Sequence, residues 1–233
     1  DPPFVREILM FLAAVGSYYS TKDDIHRRND FNFLPIKEVA ILFLGIFATM
    51  IPALDWLEAN ATVIGINSAG QFYWATGVLS SFLDNAPTYL NFLSAQIGLF
   101  VNADTVQAIQ QLVQAKAGVL TAIPPNVPPD VLSTYQELLR YHYNLVAAGS
   151  VPFSDIAVCY IIANHPLHLE AISLGAVFFG ACTYIGNGPN FMVKSIADQA
   201  GVDCPSFFGY LVRYTVPVLL PIFALIWFFF FHG

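Results

Sequence analysis

Two short polar inserts interrupt the long apolar runs of this chain, and they constrain its fold more than any other feature. The first, SSFLDNAPT, occupies residues 80–88, and the second, TYIGNGPN, occupies residues 183–190. Each contains a proline and other residues that interrupt a helix. An unpaired backbone amide or carbonyl in lipid costs several kcal/mol, so a broken helix persists at membrane depth only around a protected cavity. Two such breaks in one apolar chain are typical of the binding site of a transporter.

The composition predicts an all-α integral membrane protein. Hydrophobic residues make up 56% of the 233 residues and charged residues only 11%, whereas soluble domains carry about 25% charged residues. The net charge of −7 is spread over the loops without a basic patch, so we expect no nucleic acid partner. The three cysteines match no metal-ligand spacing, and no disulfide framework is predicted. Because residue 1 is Asp rather than an initiator Met, we expect the chain to be a piece of a longer protein.

Residues 1–100 are predicted to contain two membrane spans followed by a re-entrant hairpin. The spans are residues 4–19 and 36–54, and the basic residues of the polar stretch between them place that stretch in the cytoplasm. These basic residues are Lys22, Arg27 and Arg28, with Lys37 just beyond them. Arg6 and Glu7 fall inside the first span, either near the membrane surface or as an ion pair facing a cavity. We therefore expect a multi-pass protein of the inner (plasma) membrane, with the lipid bilayer as its surroundings.

The first insert separates two apolar segments that are each too short to cross a bilayer. Residues 71–83 would form a helix of about 20 Å, while the hydrocarbon core of a membrane is about 30 Å thick. A second short segment covers residues 88–100. Two half-length helices around a polar tip predict a re-entrant hairpin, with Asn85 or Ala86 as the cap before Pro87. The alternative is one long span that is kinked at Pro87.

Residues 101–166 are predicted to form an amphipathic insertion outside the membrane, on its outer face. An apolar stripe opposite a row of glutamines predicts a helix over residues 104–123. The residues of this stripe are Val106, Ile109, Leu112, Val113 and Leu120. After the proline-rich breaker at residues 124–129, Asp130 is expected to cap a second amphipathic helix. The apolar residues of that second helix are Tyr135, Leu138, Leu139 and Tyr143.

Residues 167–233 are predicted to form a discontinuous helix followed by a final membrane span. The discontinuous helix covers residues 167–184, breaks at the sequence Gly-Asn-Gly-Pro, and resumes over residues 190–200. Lys194, on the second half, is either a surface contact or a clamp on a substrate. The last span covers residues 205–231 and ends in aromatic residues that suit a membrane boundary.

The polar groups of the two inserts make an oxygen-only ligand set, which suits a hard cation such as Na⁺. The candidate ion- and substrate-binding residues are Ser80, Ser81, Asp84, Asn85, Thr88, Thr183, Gly186, Asn187, Gly188 and Asn190. Within this set Asp84, Asn85 and Asn187 are the candidate Na⁺ ligands. A carboxylate at such a depth binds either a proton or a cation, so Asp84 is expected to exchange H⁺ for Na⁺. Apart from these ions no cofactor is expected. The alternative for each insert is a simple turn or a loop between two spans.

These two motifs resemble those of the bacterial sodium:proton antiporters and citrate transporters of the ion-transporter superfamily. The resemblance rests on residues 80–90, SSFLDNAPTYL, and on residues 175–194, GAVFFGACTYIGNGPNFMVK. Residues 35–40 and 45–52 are also similar to that family's span before the hairpin. The resemblance implies a transporter of two inverted repeats, each with a hairpin and a discontinuous helix, of which only the C-terminal repeat is present here. It also implies a homodimer and an N-terminal half that precedes this chain.

From the sequence we favour secondary-active transport that exchanges Na⁺ for H⁺. This exchange would proceed by alternating access, with Asp84 at the hairpin tip. The alternative keeps the fold and makes the substrate a carboxylate such as citrate, carried together with cations. Such a carboxylate would bind at the half-helix N-termini near Thr88 and Asn190, with a cation neutralising Asp84. We do not expect an enzyme, because intramembrane catalysis needs a second carboxylate or a nucleophile with a base. A non-transporting membrane scaffold is the remaining alternative for an isolated fragment.

Overall fold

The computed structural model describes residues 4–29, 31–117 and 122–232, and every regular element in these ranges is a helix. Contacts between residues divide the chain into two compact units, residues 1–42 and 43–233. The all-helical structure confirms the all-α fold class. The re-entrant course of the hairpin, the inverted repeat and the depth of each segment in a bilayer stay predictions.

The first unit contains α1 (Val5–Ser20), α2 (Asp23–Arg28) and the beginning of α3 (Leu34–Ala59). α1 agrees with the predicted first span to within one residue at each end. Arg6 and Glu7 form an ion pair at 2.7 Å, and their side chains are 84% and 51% exposed. Within this unit the pair therefore lies on the surface and not in a buried cavity.

α3 is longer than the predicted second span over residues 36–54. It has 26 residues and continues through Pro52 to Ala59. A proline inside a helix removes one backbone hydrogen bond and strains one turn, and α3 accommodates this without ending. α4 (Ala61–Ile64) follows and ends at Gly65, whose φ of 72° is in the left-handed region that glycine adopts at little cost.

The first polar insert separates α5 (Ala69–Ser80) from α6 (Asn85–Phe100). α5 begins at a capping box, in which Ser68 accepts a hydrogen bond from the amide of Gln71 and the Gln71 side chain accepts one from the amide of Ser68. α6 begins earlier than predicted, because its cap is Asp84 and neither Asn85 nor Ala86. Contrary to the prediction, Pro87 is therefore not the first residue of the helix. It lies in the first turn of α6, where its missing N–H does no harm.

α5 and α6 form a helical hairpin, as their common contacts with α11 (Pro166–Phe179) show. At one end of α11, His168 contacts Asn67 through its ring, and the backbone carbonyl of His168 accepts a hydrogen bond from Gln96. At the other end, Ser80 donates a hydrogen bond of 2.5 Å to the carbonyl of Ala176. Both arms of the hairpin therefore run along the same helix, which supports a chain reversal and disfavours one long kinked span.

Glycines allow α5 and α11 to pack closely against each other. A Cβ atom on Gly77 would lie 2.6 Å from the ring of Phe179. A Cβ atom on Gly175 would lie 2.7 Å from the backbone carbonyl oxygen of Tyr73. Small residues at a helix contact let the two backbones approach, which is typical of helix pairs in membranes. The core beside this contact is aromatic and includes Phe72, Tyr73, Phe179, Phe223 and Phe231.

The described part of residues 101–166 forms four helices around a hydrophobic core of its own. They are α7 (Ala103–Gln114), α8 (Pro129–Tyr141), α9 (Tyr143–Ala148) and α10 (Phe153–Asn164). The core residues are Val106, Ile109, Leu112, Val113, Ala117, Val131, Tyr135, Leu138, Val146, Val151, Ile156 and Cys159. The predicted stripe of α7 is thus buried against the neighbouring helices. The position of residues 101–166 outside the membrane stays a prediction.

Several details of this region differ from the sequence prediction. α7 ends well before residue 123, because Lys116 has a left-handed φ of 50° and a right-handed helix cannot continue through it. α8 begins before Asp130, which lies in the first turn and does not cap the helix. Tyr143 lies on α9 and is 54% exposed instead of packing with the second helix. Leu120 lies outside the described residues.

The second polar insert separates α11 from α12 (Gly188–Gln199), so the helix is discontinuous as predicted. The break is longer than expected, since α11 already ends at Phe179. The last helix covers Phe207–Phe230 and, within the part of the chain that the structure describes, is the one long and apolar enough to cross a bilayer. It consists of α13 (Phe207–Tyr210), a π-helical segment (Leu211–Leu219) and α14 (Leu220–Phe230). Nothing in the sequence prediction anticipated the π-helical segment.

The close contact of α5 with α11 predicts that Gly77→Val destabilises the protein. The new side chain would overlap the Phe179 ring and push the two helices apart, at a cost of about 1–3 kcal/mol in the free energy of unfolding. Thermal unfolding of the purified protein in detergent measures this as a lower midpoint temperature. Gly16→Val is the matched control, because a Cβ atom on the helical Gly16 meets nothing within 4 Å. Equal midpoints for the two variants would contradict the close packing.

Candidate functional site

The two polar inserts, about one hundred residues apart in sequence, are in direct contact. The Asp84 carboxylate accepts a hydrogen bond of 3.0 Å from the backbone amide of Gly188. Next to this contact, the hydroxyl of Thr183 donates a hydrogen bond of 2.5 Å to the carbonyl of Ser81. Residues predicted from two separate motifs therefore line one place in the fold, where α5, α6, α11 and α12 end or begin.

The Asp84 carboxylate bonds to the N-termini of two different helices. Its Oδ1 atom accepts from the amide of Ala86 in α6 at 3.3 Å, and its Oδ2 atom accepts from the amide of Gly188 in α12 at 3.0 Å. Helix N-termini carry partial positive charge and bind anions. The Asp84 carboxylate is half-buried. It fills the position in which the amides of both helices would bind a negatively charged group.

Asn85 links the hairpin tip to both sides of the break. The hydrogen-bond network orients its side-chain amide, whose nitrogen donates to the carbonyls of Ala176 at 2.9 Å and Gly186 at 3.3 Å. The Asn85 oxygen accepts a hydrogen bond of 3.3 Å from the side-chain nitrogen of Asn187. The hydroxyl of Ser80 completes this group by accepting from Asn85 and donating to Ala176. The hydrogen bonds of Asn85 and Ser80 thus hold the two inserts together through side chains as well as through the backbone.

Three backbone carbonyls converge on Gly186. A Cβ atom on this residue would lie 2.7 Å from the oxygen of Ser80, 2.8 Å from that of Ser81 and 3.0 Å from that of Gly180. These carbonyls belong to the C-terminal ends of α5 and α11, where partial negative charge accumulates. The site therefore has a carbonyl-rich side next to the amide-rich side that holds Asp84. Only glycine fits between these oxygens without displacing the backbone.

The remaining predicted site residues take different positions. Asn187 caps α12, since its side chain accepts a hydrogen bond of 3.3 Å from the amide of Asn190. The side chain of Asn190 itself is exposed. Thr88 is 0% exposed in the first turns of α6, and its hydroxyl has no hydrogen-bond partner among the described residues. Ser81 donates its hydroxyl to the carbonyl of Gly77 within α5.

Lys194 pairs with a residue of its own helix. Its ammonium group lies 2.5 Å from the carboxylate of Asp198 and 5.3 Å from the centre of the Tyr184 ring. These contacts support a structural role on α12 and give no support to a clamp on a substrate.

The oxygens at this site are of the kind that suits an alkali cation. Among the described residues, no group of three His, Cys, Asp or Glu side chains lies close enough together to hold a metal ion. The oxygens come instead from one carboxylate, side-chain amides, hydroxyls and backbone carbonyls. Hard cations such as Na⁺ accept such ligands.

Sequence reasoning missed two side chains that contact the break from the last helix. The Tyr210 hydroxyl donates a hydrogen bond of 3.1 Å to the carbonyl of Ala181, and Thr215 donates one of 2.5 Å to the carbonyl of Cys182. The available signal was weak, because a single threonine in an apolar run often bonds to its own helix. Ala176 and Gly180 were also missed, since they contribute through backbone carbonyls that no residue type marks.

Comparison with known proteins identifies a family for this chain. A family model described as putative citrate transport matches residues 2–231, which is nearly the whole chain. No curated protein and no solved structure matches. The match supports the citrate transporters named in the sequence resemblance, and it does not extend to the specificity of the sodium:proton antiporters. It also indicates a membrane protein with a role in transport. The chain therefore belongs to the putative citrate transport family.

Proposed function

We propose that this protein is a secondary-active transporter that carries a polycarboxylate such as citrate together with cations, and that the meeting point of the two inserts is its binding site. The observation that carries the proposal is the Asp84 carboxylate, which bonds to the amides of Ala86 and Gly188 at two helix N-termini. A substrate carboxylate needs the same kind of donors. The family supports citrate as the substrate class.

Asp84 supplies a physical reason for coupling substrate to cations. Two carboxylates that compete for the same amides repel each other, and a cation between them removes the repulsion. A cation that binds Asp84 would draw its side chain from the amide of Gly188 and leave that amide for the substrate. Binding of the cation would in this way precede and enable binding of the polycarboxylate.

The carbonyl-rich side of the site is the proposed location of the cation. The carbonyls of Ser80, Ser81 and Gly180 converge there, and the Asp84 carboxylate lies on the adjoining amide-rich side. Asn85 and Asn187, whose side chains contact each other beside it, offer further oxygens. Na⁺ is the proposed ion because the ligands are all oxygens.

A sodium:proton exchange at the same site is the second candidate function. It is favoured by the chemistry of Asp84, the acidic side chain that the described contacts place between the two inserts. A proton and Na⁺ would compete for this carboxylate, and no organic substrate would be needed. We further propose that the protein is a multi-pass inner-membrane homodimer with a preceding inverted half, in which α5 and α6 form a re-entrant hairpin.

The first test is Asp84→Asn in the full-length protein, reconstituted in lipid vesicles with an inward Na⁺ gradient and radiolabelled citrate outside. We expect the initial rate of citrate uptake to fall about tenfold or more, since the charged ligand for the cation is lost. Folding should be retained, because Asn also caps helices. Asp198→Asn, which changes an exposed carboxylate of α12 paired with Lys194, is the matched control and should transport normally.

Each outcome of this assay distinguishes the candidates. Sodium-dependent citrate uptake at the wild-type rate by Asp84→Asn would contradict the proposed site. If the wild-type protein takes up no citrate but moves protons in response to Na⁺, measured with a pH-sensitive dye inside the vesicles, the exchange function replaces the proposed one. If the full-length protein shows neither flux, both candidate functions are contradicted.

The second test is Gly186→Ala. The added methyl group would lie within 3.0 Å of three carbonyl oxygens that belong to two helix ends. Because backbone atoms cannot turn away as side chains do, the break must change shape, and we expect transport to be lost while the protein is still inserted. Gly45→Ala is the control, since a Cβ atom there meets nothing within 4 Å. Normal uptake by Gly186→Ala would show that these carbonyls do not form the site.

A further inference from the structure

The last helix contacts the break through two hydroxyl groups that are five residues apart. The Tyr210 hydroxyl bonds to the carbonyl of Ala181, and the Thr215 hydroxyl bonds to the carbonyl of Cys182. These are consecutive carbonyls of the break, and they follow the α11 cap Gly180. Buried backbone carbonyls outside a regular helix need other hydrogen-bond donors, and the two hydroxyls supply them.

The π-helical segment explains how one helix makes both contacts. In an α-helix, residues five apart point in directions about 140° apart. In a π-helix the hydrogen bonds run from residue i to i+5, so residues five apart lie above one another on nearly the same side. The segment Leu211–Leu219 has this form, and the amide of Leu220 bonds to the carbonyl of Thr215 in the same pattern. Tyr210 and Thr215 are therefore directed at the same neighbour.

The carbonyls of the break are directed at different neighbours. Ala181 and Cys182 are turned toward the last helix, whereas the carbonyl of the preceding Gly180 faces Gly186, beside the carbonyls of the α5 end. Thr215 is 3% exposed and Cys182 is 2% exposed, so water does not compete for this hydrogen bond. The last helix thus holds the backbone of the break through two hydrogen bonds.

We propose that Tyr210 and Thr215 are positioning residues of the transport site, held in register by the π-helical segment. They do not bind the ion. They fix the carbonyls of Ala181 and Cys182, and this fixes the direction of the Gly180 carbonyl that faces the proposed cation. The effect on ion affinity rests on the proposed function, whereas the effect on the backbone of the break does not.

The transport test is Thr215→Val, which keeps the shape of the side chain and removes the hydroxyl. In vesicles containing the full-length protein, we expect the Na⁺ concentration for half-maximal citrate uptake to rise about five- to tenfold, as for the loss of one buried hydrogen bond. The maximal rate at saturating Na⁺ should change much less, because the ligands themselves remain. Thr215→Ser restores the hydroxyl and should restore the Na⁺ dependence, and Tyr210→Phe should act in the same direction as Thr215→Val.

Matched controls come from the region of residues 101–166. Thr134→Val removes a buried threonine hydroxyl that donates to the carbonyl of Asp130 at 2.6 Å. Tyr135→Phe removes a tyrosine hydroxyl that donates to the carbonyl of Ala117 at 2.7 Å. Both changes resemble the test variants chemically but lie away from the break, so the Na⁺ dependence should be unchanged. A wild-type Na⁺ dependence in Thr215→Val, or an equal change in the controls, would overturn the proposal.

A second readout separates this proposal from the proposed function. The rate of alkylation of Cys182, followed by mass spectrometry of its peptide, reports on the backbone of the break without any transport. We expect Thr215→Val to raise this rate about five- to tenfold, while the buried Cys159 of α10 reacts as in the wild type. If the rate rises but no citrate is transported, the proposed function fails and the positioning role stands. An unchanged rate overturns the positioning role.

Discussion

Breaking two helices in an apolar core frees backbone amides and carbonyls that lipid cannot satisfy. In this fold the two breaks satisfy each other. The Thr183 hydroxyl donates a hydrogen bond to the carbonyl of Ser81, and the Asn85 side-chain amide donates one to the carbonyl of Gly186. The Asp84 carboxylate accepts one from the backbone amide of Gly188. The close packing of α5 against α11 brings the breaks to the same place, because it aligns the C-terminal ends of both helices. The rest of the site depends on this mutual pairing.

The pairing also separates charge within a small volume. The C-terminal ends of α5 and α11 present carbonyls around Gly186, and the N-terminal ends of α6 and α12 present amides to the carboxylate of Asp84. Helix ends carry partial charges of opposite sign, so carbonyls that attract a cation lie beside amides that attract an anion. A transporter that carries a polycarboxylate with cations needs both in contact. The assignment to a citrate transport family and the local electrostatics therefore agree.

Much of this organisation could be predicted from the sequence, for clear physical reasons. Proline, glycine and an acidic residue in long apolar runs mark helix breaks. Both predicted breaks are present, and the second begins earlier than predicted because α11 ends at Phe179. The cap of α6 was assigned wrongly, because Asp84, Asn85 and Ala86 are neighbours and only the backbone geometry selects Asp84. The early end of α7 depends on the left-handed φ of Lys116, which no residue preference indicates.

Contacts between segments that are distant in the chain could not be predicted from the sequence. Two motifs can be recognised separately, yet nothing in either one states that Asp84 bonds to Gly188. The π-helical segment lies between Tyr210 and Leu220, and the contacts of Tyr210 and Thr215 with the break are tertiary contacts that the sequence does not state. The sequence also could not separate Na⁺ exchange from citrate transport. Both functions use the Asp84 carboxylate among other oxygens, and they differ only in whether an organic carboxylate binds as well.

The most direct test of this account is a cross-link between the two inserts. Asn85→Cys and Asn187→Cys, combined in a chain whose three native cysteines are replaced by alanine, place thiols on side chains whose polar atoms lie 3.3 Å apart. A short bifunctional thiol reagent in native membranes should join residues 85 and 187 within one chain, as detected by mass spectrometry. The control pair uses Asn102→Cys instead of Asn85→Cys. Asn102 lies just beyond the other end of α6, whose 16 residues span about 24 Å, so this pair should not react. Absence of the 85–187 link, or equal linking of the control pair, would contradict the account.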